Sequence, residues 1–279
     1  MISIVVPCFN GGPRLGTQLH SLLDQTYAGA FEVLLVDNRS TDSTAKIAKH
    51  IADNDPRLKY VGAFEKQGIN YARNRGIQEA VGHFILFCDA DDRVDRDWLL
   101  HLAYAAASGA ELVGGALIRT LNSVTVSESG LNRSLWNFPS PAGANCGAHK
   151  DVFARVGLFD ESYMGGGDET DFFWRAQLAG CKLLYVPEAK VEYCLRSTNR
   201  ELSRQQFLYG KSHAKLFSKF GPMGMPRSNC LRSLLSVLKA CLEILFSRRM
   251  GRRQRSALSK LSLHTGRVAG SFSNHVFYV

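Results

Sequence analysis

The sequence predicts an α/β protein: a doubly wound, mostly parallel sheet carrying a helical extension at its C-terminus. Apolar runs at 2–6, 31–36, 84–88 and 112–118 alternate with amphipathic stretches of about three helical turns, the pattern of strands buried on both faces and joined by helices. Two of these runs end in aspartate, at Asp37 and Asp89, where such sheets bind ligands. Beyond residue 220 the composition changes to leucine and arginine.

Taken in order, residues 2–6 form a β-branched strand, and Asn10-Gly11-Gly12-Pro13 is a turn that opens a helix reaching about residue 25. The second strand, 31–36, ends at Asp37, and Ser40-Thr41-Asp42 offers caps for a helix through Ile51. Residues 58–61 form a weaker third strand. A helix over 69–81 feeds the strand 84–88, and 112–118 is a fifth. Residues 119–150, rich in Asn, Ser, Pro and Gly, read as an irregular segment that shapes a substrate pocket. Trp136 and Phe138 lie within it, with Trp136 expected to touch substrate. Helical periodicity returns at 151–156 and 170–178, where Trp174 reads as core. A short strand, 182–186, stops at Pro187, and 200–220 is a long helix. These elements divide into a body, 1–220, with a nucleotide-binding half (1–118) and an acceptor-side half (119–220), and a tail, 221–279.

Seven scattered cysteines without a C-x-x-C pair fit free thiols rather than a disulfide scaffold or a zinc site. The opening Met1-Ile2-Ser3-Ile4-Val5-Val6-Pro7 reads as a buried strand and lacks the basic region of a secretory leader. The net charge of +9 is localised: residues 221–279 hold ten Lys and Arg against one acid, Glu243, leaving 24 basic and 24 acidic residues in 1–220. Leu231, Leu234, Leu235, Leu238, Leu242 and Leu245 recur at helical spacing, followed by Arg248, Arg249, Arg252, Arg253 and Arg255. The apolar run is too short and too charged to span a bilayer, so an interfacial helix with a basic flank is expected, on the anionic inner face of a cell membrane. A neutral body argues against nucleic acid as the partner.

The chemistry concentrates in Asp89-Ala90-Asp91-Asp92, directly after the fourth strand. Carboxylates at i and i+2 in a strand-end turn suit one hard divalent cation and leave positions open for phosphate oxygens. Asp37 can accept from a base N–H or a ribose hydroxyl, and it can equally cap the following helix. His149 and His213 read as ordinary polar side chains.

The ordered blocks Val5-Val6-Pro7-Cys8-Phe9-Asn10, Val36 to Asp42, Ala72-Arg73-Asn74-Arg75-Gly76 and Asp89 to Asp92 resemble an inverting family 2 glycosyltransferase with the GT-A fold. Val156 to Glu161 and Gly166 to Phe172 match the acceptor-side block of the same family, so the resemblance runs over residues 2–197. It implies that Pro7, Phe9, Asn10 and Asp37 line the nucleoside, that Arg73 and Asp89 meet the donor, and that Asp89 and Asp91 hold Mn²⁺ or Mg²⁺, Asp91 more directly. The general base is expected from Asp168-Glu169, with Glu169 favoured by register. Asp171 is expected to order the site or to pair with Arg175 one turn along. Two departures stand out: Asp37-Asn38 replaces the family's usual pair of acids, and Val191-Glu192-Tyr193 stands where many relatives carry a histidine ligand. Glu192 could substitute for it.

The reaction so implied moves a sugar from a nucleotide-diphosphate donor to a glycan or lipid-linked acceptor hydroxyl in cell-envelope synthesis. Missing spans and a missing Q-x-x-R-W block disfavour a processive polysaccharide synthase. The alternatives are a sugar-phosphate nucleotidyltransferase, whose glycine-rich phosphate loop Asn10-Gly11-Gly12-Pro13-Arg14 only faintly matches, and a non-catalytic nucleotide-sugar or glycan-binding module at the membrane.

Overall fold

The structure, a computed structural model, describes residues 1–121, 124–246 and 251–279. The chain packs as two compact units. The first comprises Met1–Arg133, Phe138–Ser162 and Asp168–Leu195; the second comprises Ser134–Asn137, Tyr163–Gly167 and Arg196–Val279.

The first unit is organised by β1 (Ile2–Cys8), β2 (Phe31–Asp37), β3 (Leu58–Gly62) and β4 (Phe84–Phe87), which lie parallel in the order β3-β2-β1-β4. Every residue of β1, β2 and β4 is buried, which explains their unbroken apolar sequences: both faces are covered. On one face Ile4, Val6 and Leu35 pack with Leu15, Leu19 and Leu22 of α1 (Leu15–Leu23), Ile51 of α2 (Thr44–Ala52) and Trp98 and Leu102 of α4 (Trp98–Ala107). On the other, Val5, Leu34 and Val36 meet Ala72 and Ile77 of α3 (Ile69–Glu79), Phe153 of α5 (Lys150–Val156) and Phe172 of α6 (Asp168–Leu178). Helices on both faces of the parallel strands are the doubly wound arrangement the sequence predicts.

Past β4 the sheet becomes mixed. β8 (Cys146–His149) is antiparallel to β4 and to β6 (Leu112–Leu121). β9 (Leu183–Cys194) runs parallel to β6, and the short β5 (Arg93–Val94) pairs antiparallel with β9. β7 (Val124–Ser129) hangs on β6. The segment 119–150 is thus less irregular than expected: it holds the end of β6, β7 and β8. Pro187 does not stop its strand. The β6–β9 register shifts between Val186 and Lys190, and this bulge takes the residue that lacks an N–H out of the ladder. α4 is absent from the sequence reading because its apolar residues, Trp98 to Ala107, leave little polar periodicity to read.

Asn145 fastens this mixed half. Fully buried, it accepts from Trp98 Nε1 and donates to the carbonyls of Ala116 and Ala189, each at 2.8 Å. Asn145→Ala strands three polar groups at once and should destabilise the protein by about 2–4 kcal/mol in chemical denaturation.

The second unit contains α7 (Asn199–Phe220), α8 (Cys230–Phe246) and α9 (Arg252–Ser273). Thr198 and Glu201 close a reciprocal capping box on α7. α7, which the sequence places with the catalytic body, packs on α9 at backbone contact: a Cβ on Gly210 would sit 2.1 Å from Leu263 O, and one on Gly266 2.0 Å from Phe207 O. The expected leucine helix is present as α8, while α9 adds a second helix that begins in the basic stretch. Arg248 and Arg249 lie outside the described residues. Among the described residues no helix is long and apolar enough to cross a membrane, and all seven cysteines are free thiols.

Candidate active site

The site residues named from the sequence lie in the first unit, and most stand where parallel strands end. β1 runs into Phe9 and Asn10. Phe9 is 52% exposed, whereas Pro7 is buried within the strand. Asn10 holds a positive φ of 52°, its N–H donates to Ser40 Oγ at 2.8 Å, and its Oδ1 accepts from Thr41 N at 2.8 Å. Asp37 ends β2 with one oxygen accepting from Ser40 N (2.9 Å) and the other from Tyr60 OH (2.6 Å). Burial and this carboxylate push the Tyr60 phenol well above its ordinary range. Asp42, rather than Ser40, meets the start of α2 by accepting from Thr44 N.

Asn38, the departure from the usual acid, is buried and satisfied. It donates to the carbonyls of Ala63 (2.6 Å) and Lys66 (2.7 Å) and accepts from Gly68 N (2.7 Å). A carboxylate could not donate twice, so asparagine here ties down the loop 63–68.

β4 delivers Asp89, Asp91 and Asp92, whose carboxylates lie within 4.8 Å of one another. Buried Gln18 fixes the turn by donating to Asp89 O at 2.9 Å, and Asp92 accepts from Cys194 N on β9 at 3.1 Å. Three converging carboxylates are the donor set of a hard divalent cation, so the residues fit Mn²⁺ or Mg²⁺. Among the described residues this is the group of three that could hold a metal. Glu192 is not part of it, so the expected substitute ligand is not brought in; Asp92 stands there instead.

Arg73 links this cluster to the second acidic block. Its side chain is 4% exposed; Nη1 donates to Asp168, itself 2% exposed, and Nη2 lies 3.9 Å from Asp89. The guanidinium covers the Phe159 ring, and Gly143 closes over it so tightly that a Cβ there would lie 2.5 Å from Nη2. The neighbouring Asn74 donates to Phe159 O (2.9 Å) and accepts from Phe159 N (3.0 Å). The Arg-Asn block thus anchors the segment leading to α6.

α6 begins at Asp168 and Glu169, after three glycines with φ of 93°, 112° and 84° at 165, 166 and 167. Within the second unit, a Cβ on Gly166 would strike the Tyr209 ring at 2.4 Å, so both the backbone and the space require glycine. Asp171 is buried and binds Arg175 Nε at 2.8 Å, as the spacing predicts. Glu169 is half-buried, and its carboxyl is pushed up to about 8 by burial and by the Asp168 charge, against the pull of Arg73. A carboxyl raised toward neutrality beside an ion-paired neighbour is poised to exchange a proton.

The aromatic expectations divide. Trp174 is core and donates from Nε1 to Phe138 O. Trp136 is no exposed platform: it is buried in the second unit, 5.9 Å from the Phe220 ring. His149 caps α5, and His213 accepts from Arg267.

The acids at the ends of the parallel strands, the three-carboxylate turn and the acid pair opening α6 make up the candidate site. The glycosyl transferase family 2 model matches residues 3–156, and the chain belongs to that family. It is 28% identical to the glycosyltransferase AglE of Haloferax volcanii over 226 residues, 77% of this chain and 74% of that one. It is 30% identical to the GalNAc(5)-diNAcBac-PP-undecaprenol beta-1,3-glucosyltransferase of Campylobacter jejuni over 131 residues, 46% of this chain and 42% of that protein. The fold is similar to the mannosyltransferase PcManGT of Pyrobaculum calidifontis, solved with GDP-Man and Mn²⁺, at a TM-score of 0.70 and 16% identity over 98% of this chain and 87% of that one. The protein is a glycosyltransferase of the GT-A fold, and sugar transfer is its chemistry.

Proposed function

We propose that the protein is an inverting, metal-assisted glycosyltransferase that moves a sugar from a nucleoside-diphosphate donor to a hydroxyl of a glycan or lipid-linked acceptor in cell-envelope synthesis. The observation that carries this reading is the arrangement of Asp89, Asp91 and Asp92 on one side of Arg73 and the Asp168-Glu169 pair on the other. The nucleoside lies against Pro7, Phe9, Asn10 and Asp37. Asp91 and Asp89, with Asp92 beside them, hold Mn²⁺ or Mg²⁺, which when bound offsets negative charge on the diphosphate.

Because Asp168 is engaged by Arg73, Glu169 is the general base. It accepts the proton of the acceptor hydroxyl as that oxygen bonds to the anomeric carbon. The bond from that carbon to the diphosphate oxygen breaks on the opposite face, and its electron pair leaves with the nucleoside diphosphate. Relatives and neighbours supply the precedent: the Campylobacter enzyme bears a PP-undecaprenol acceptor in its name, and PcManGT was solved with GDP-Man and Mn²⁺. The reaction takes place at the anionic inner face of a cell membrane, with the tail 221–279 as the attachment.

A panel of nucleoside-diphosphate sugars with and without Mn²⁺ tests this. The true donor should raise the melting temperature of the wild type by roughly 5 °C at saturating concentration, only with metal, and should release nucleoside diphosphate. Asp91→Ala should show neither effect. If no donor responds in the wild type, the reading fails.

A further inference from the structure

α8 is built inside out. Its inward face is narrow: Ser233 and Ala240 are buried, Val237 and Ile244 on the same face are half-buried, and Ser233 Oγ donates to the carbonyl of Val279. Near its other end, Ile244 O accepts from Gln254 Nε2 in the first turn of α9, so α8 and α9 form an antiparallel hairpin. The leucines point the other way. Leu231, Leu234, Leu235, Leu238, Leu242 and Leu245 are each between 51% and 76% exposed, and their spacing puts them on one helical stripe. A helix that packs through this narrow face while offering six leucines to the outside has its wider apolar face turned toward something other than its own core.

The charge of the unit says what that is. Residues 196–279 hold sixteen Lys and Arg (six before residue 221 and ten from it onward) against two acids, Glu201 and Glu243. On α8 itself Arg232 and Lys239 are exposed. Two copies meeting through this face would bring like charges together, whereas a bilayer rich in acidic headgroups supplies both an apolar layer and the opposite charge. Nucleic acid would satisfy the arginines and leave the leucines in water.

We infer that the leucine stripe of α8 is an insertion face that lies in the plane of an anionic bilayer, with Arg232 and Lys239 at headgroup level. The inference rests on the membrane attachment proposed above and assigns it to one surface. α8 seats in the interface without crossing it, which agrees with the lack of a spanning helix among the described residues.

The test uses the full chain and floated vesicles of phosphatidylcholine alone or mixed with phosphatidylglycerol. Wild type should float with the mixed vesicles, and the partition coefficient should fall at least about tenfold in Leu235→Glu/Leu238→Glu. Arg232→Glu/Lys239→Glu should lose the preference for acidic lipid and its salt sensitivity. Unchanged melting curves keep the comparison valid, since all four side chains are exposed. Sedimentation in the absence of lipid covers the rival occupant. If the wild type floats with neither vesicle, if the leucine variant floats as well as wild type, or if wild type is a dimer that the leucine variant dissociates, the inference is overturned. Donor hydrolysis without vesicles, measured in parallel, separates this from the transferase chemistry: vesicle binding with no hydrolysis would sink only the latter.

Discussion

Glu169→Gln is expected to lower the turnover number for sugar transfer by roughly 10²–10⁴-fold while leaving donor binding near its wild-type strength. Glutamine keeps the shape and removes only the proton acceptor. The same substitution should also stabilise the protein as the pH rises. The folded carboxyl lies at about 8 and the ordinary value is 4.5, so between those limits the native state holds a proton that the unfolded state has released. That contribution is complete below 4.5 and lost as pH climbs through the folded value. Wild type should therefore lose melting temperature between pH 5 and pH 8 relative to Glu169→Gln. Wild-type kcat should climb over the same range by up to about tenfold per pH unit until Glu169 is ionised. A pH-independent rate in the wild type, or a Glu169→Gln variant that still turns over, would remove Glu169 as the base. Asp168→Asn is the control for a merely structural role, because it should lower the melting temperature and the rate together.

The parallel half of the fold is legible in the sequence because β1, β2 and β4 are covered on both faces, and a strand with no solvent-facing side can only be apolar throughout. The mixed half is not. β8 contains two small residues among four, and its place between β4 and β6 is set by pairing with strands far away in the chain. The same limit governs the site. Where the acids stand, at the end of a strand or the start of a helix, can be read from the sequence. What holds them cannot: Arg73 meets Asp168 across 95 residues, and Asp92 meets Cys194 across 102. Asn38 shows the other side of this. Judged against a family pattern it is a missing acid, while its three hydrogen bonds to residues 63, 66 and 68 make it a loop clamp for which a donating side chain is required. Trp136 misleads because an aromatic in a polar segment carries no mark of the Phe220 ring it packs against.

Arg73→Met is expected to cost about 3–5 kcal/mol of stability, because it leaves the Asp168 carboxylate buried without its cation. In a protein of this size that is a fall in melting temperature of roughly 10 °C. Asp168→Leu should cost a similar amount from the other side, stranding the guanidinium between Gly143 and the Phe159 ring with Asp89 3.9 Å away. The combined Arg73→Met/Asp168→Leu variant should cost clearly less than the two single changes added together, since neither buried charge remains uncompensated. Arg73→Lys should not restore the wild type: an ammonium lacks the planar fork that reaches Asp168 with one nitrogen and faces Asp89 with another. All four proteins should lose transfer activity, because the start of α6 carries Glu169, the base proposed above. The thermodynamic cycle therefore distinguishes what activity alone does not. Strict additivity would mean that the pair contributes nothing as a pair, and that Arg73 serves the donor alone. A large coupling would mean that the strand-end acids and the start of α6 are held in register by one buried guanidinium.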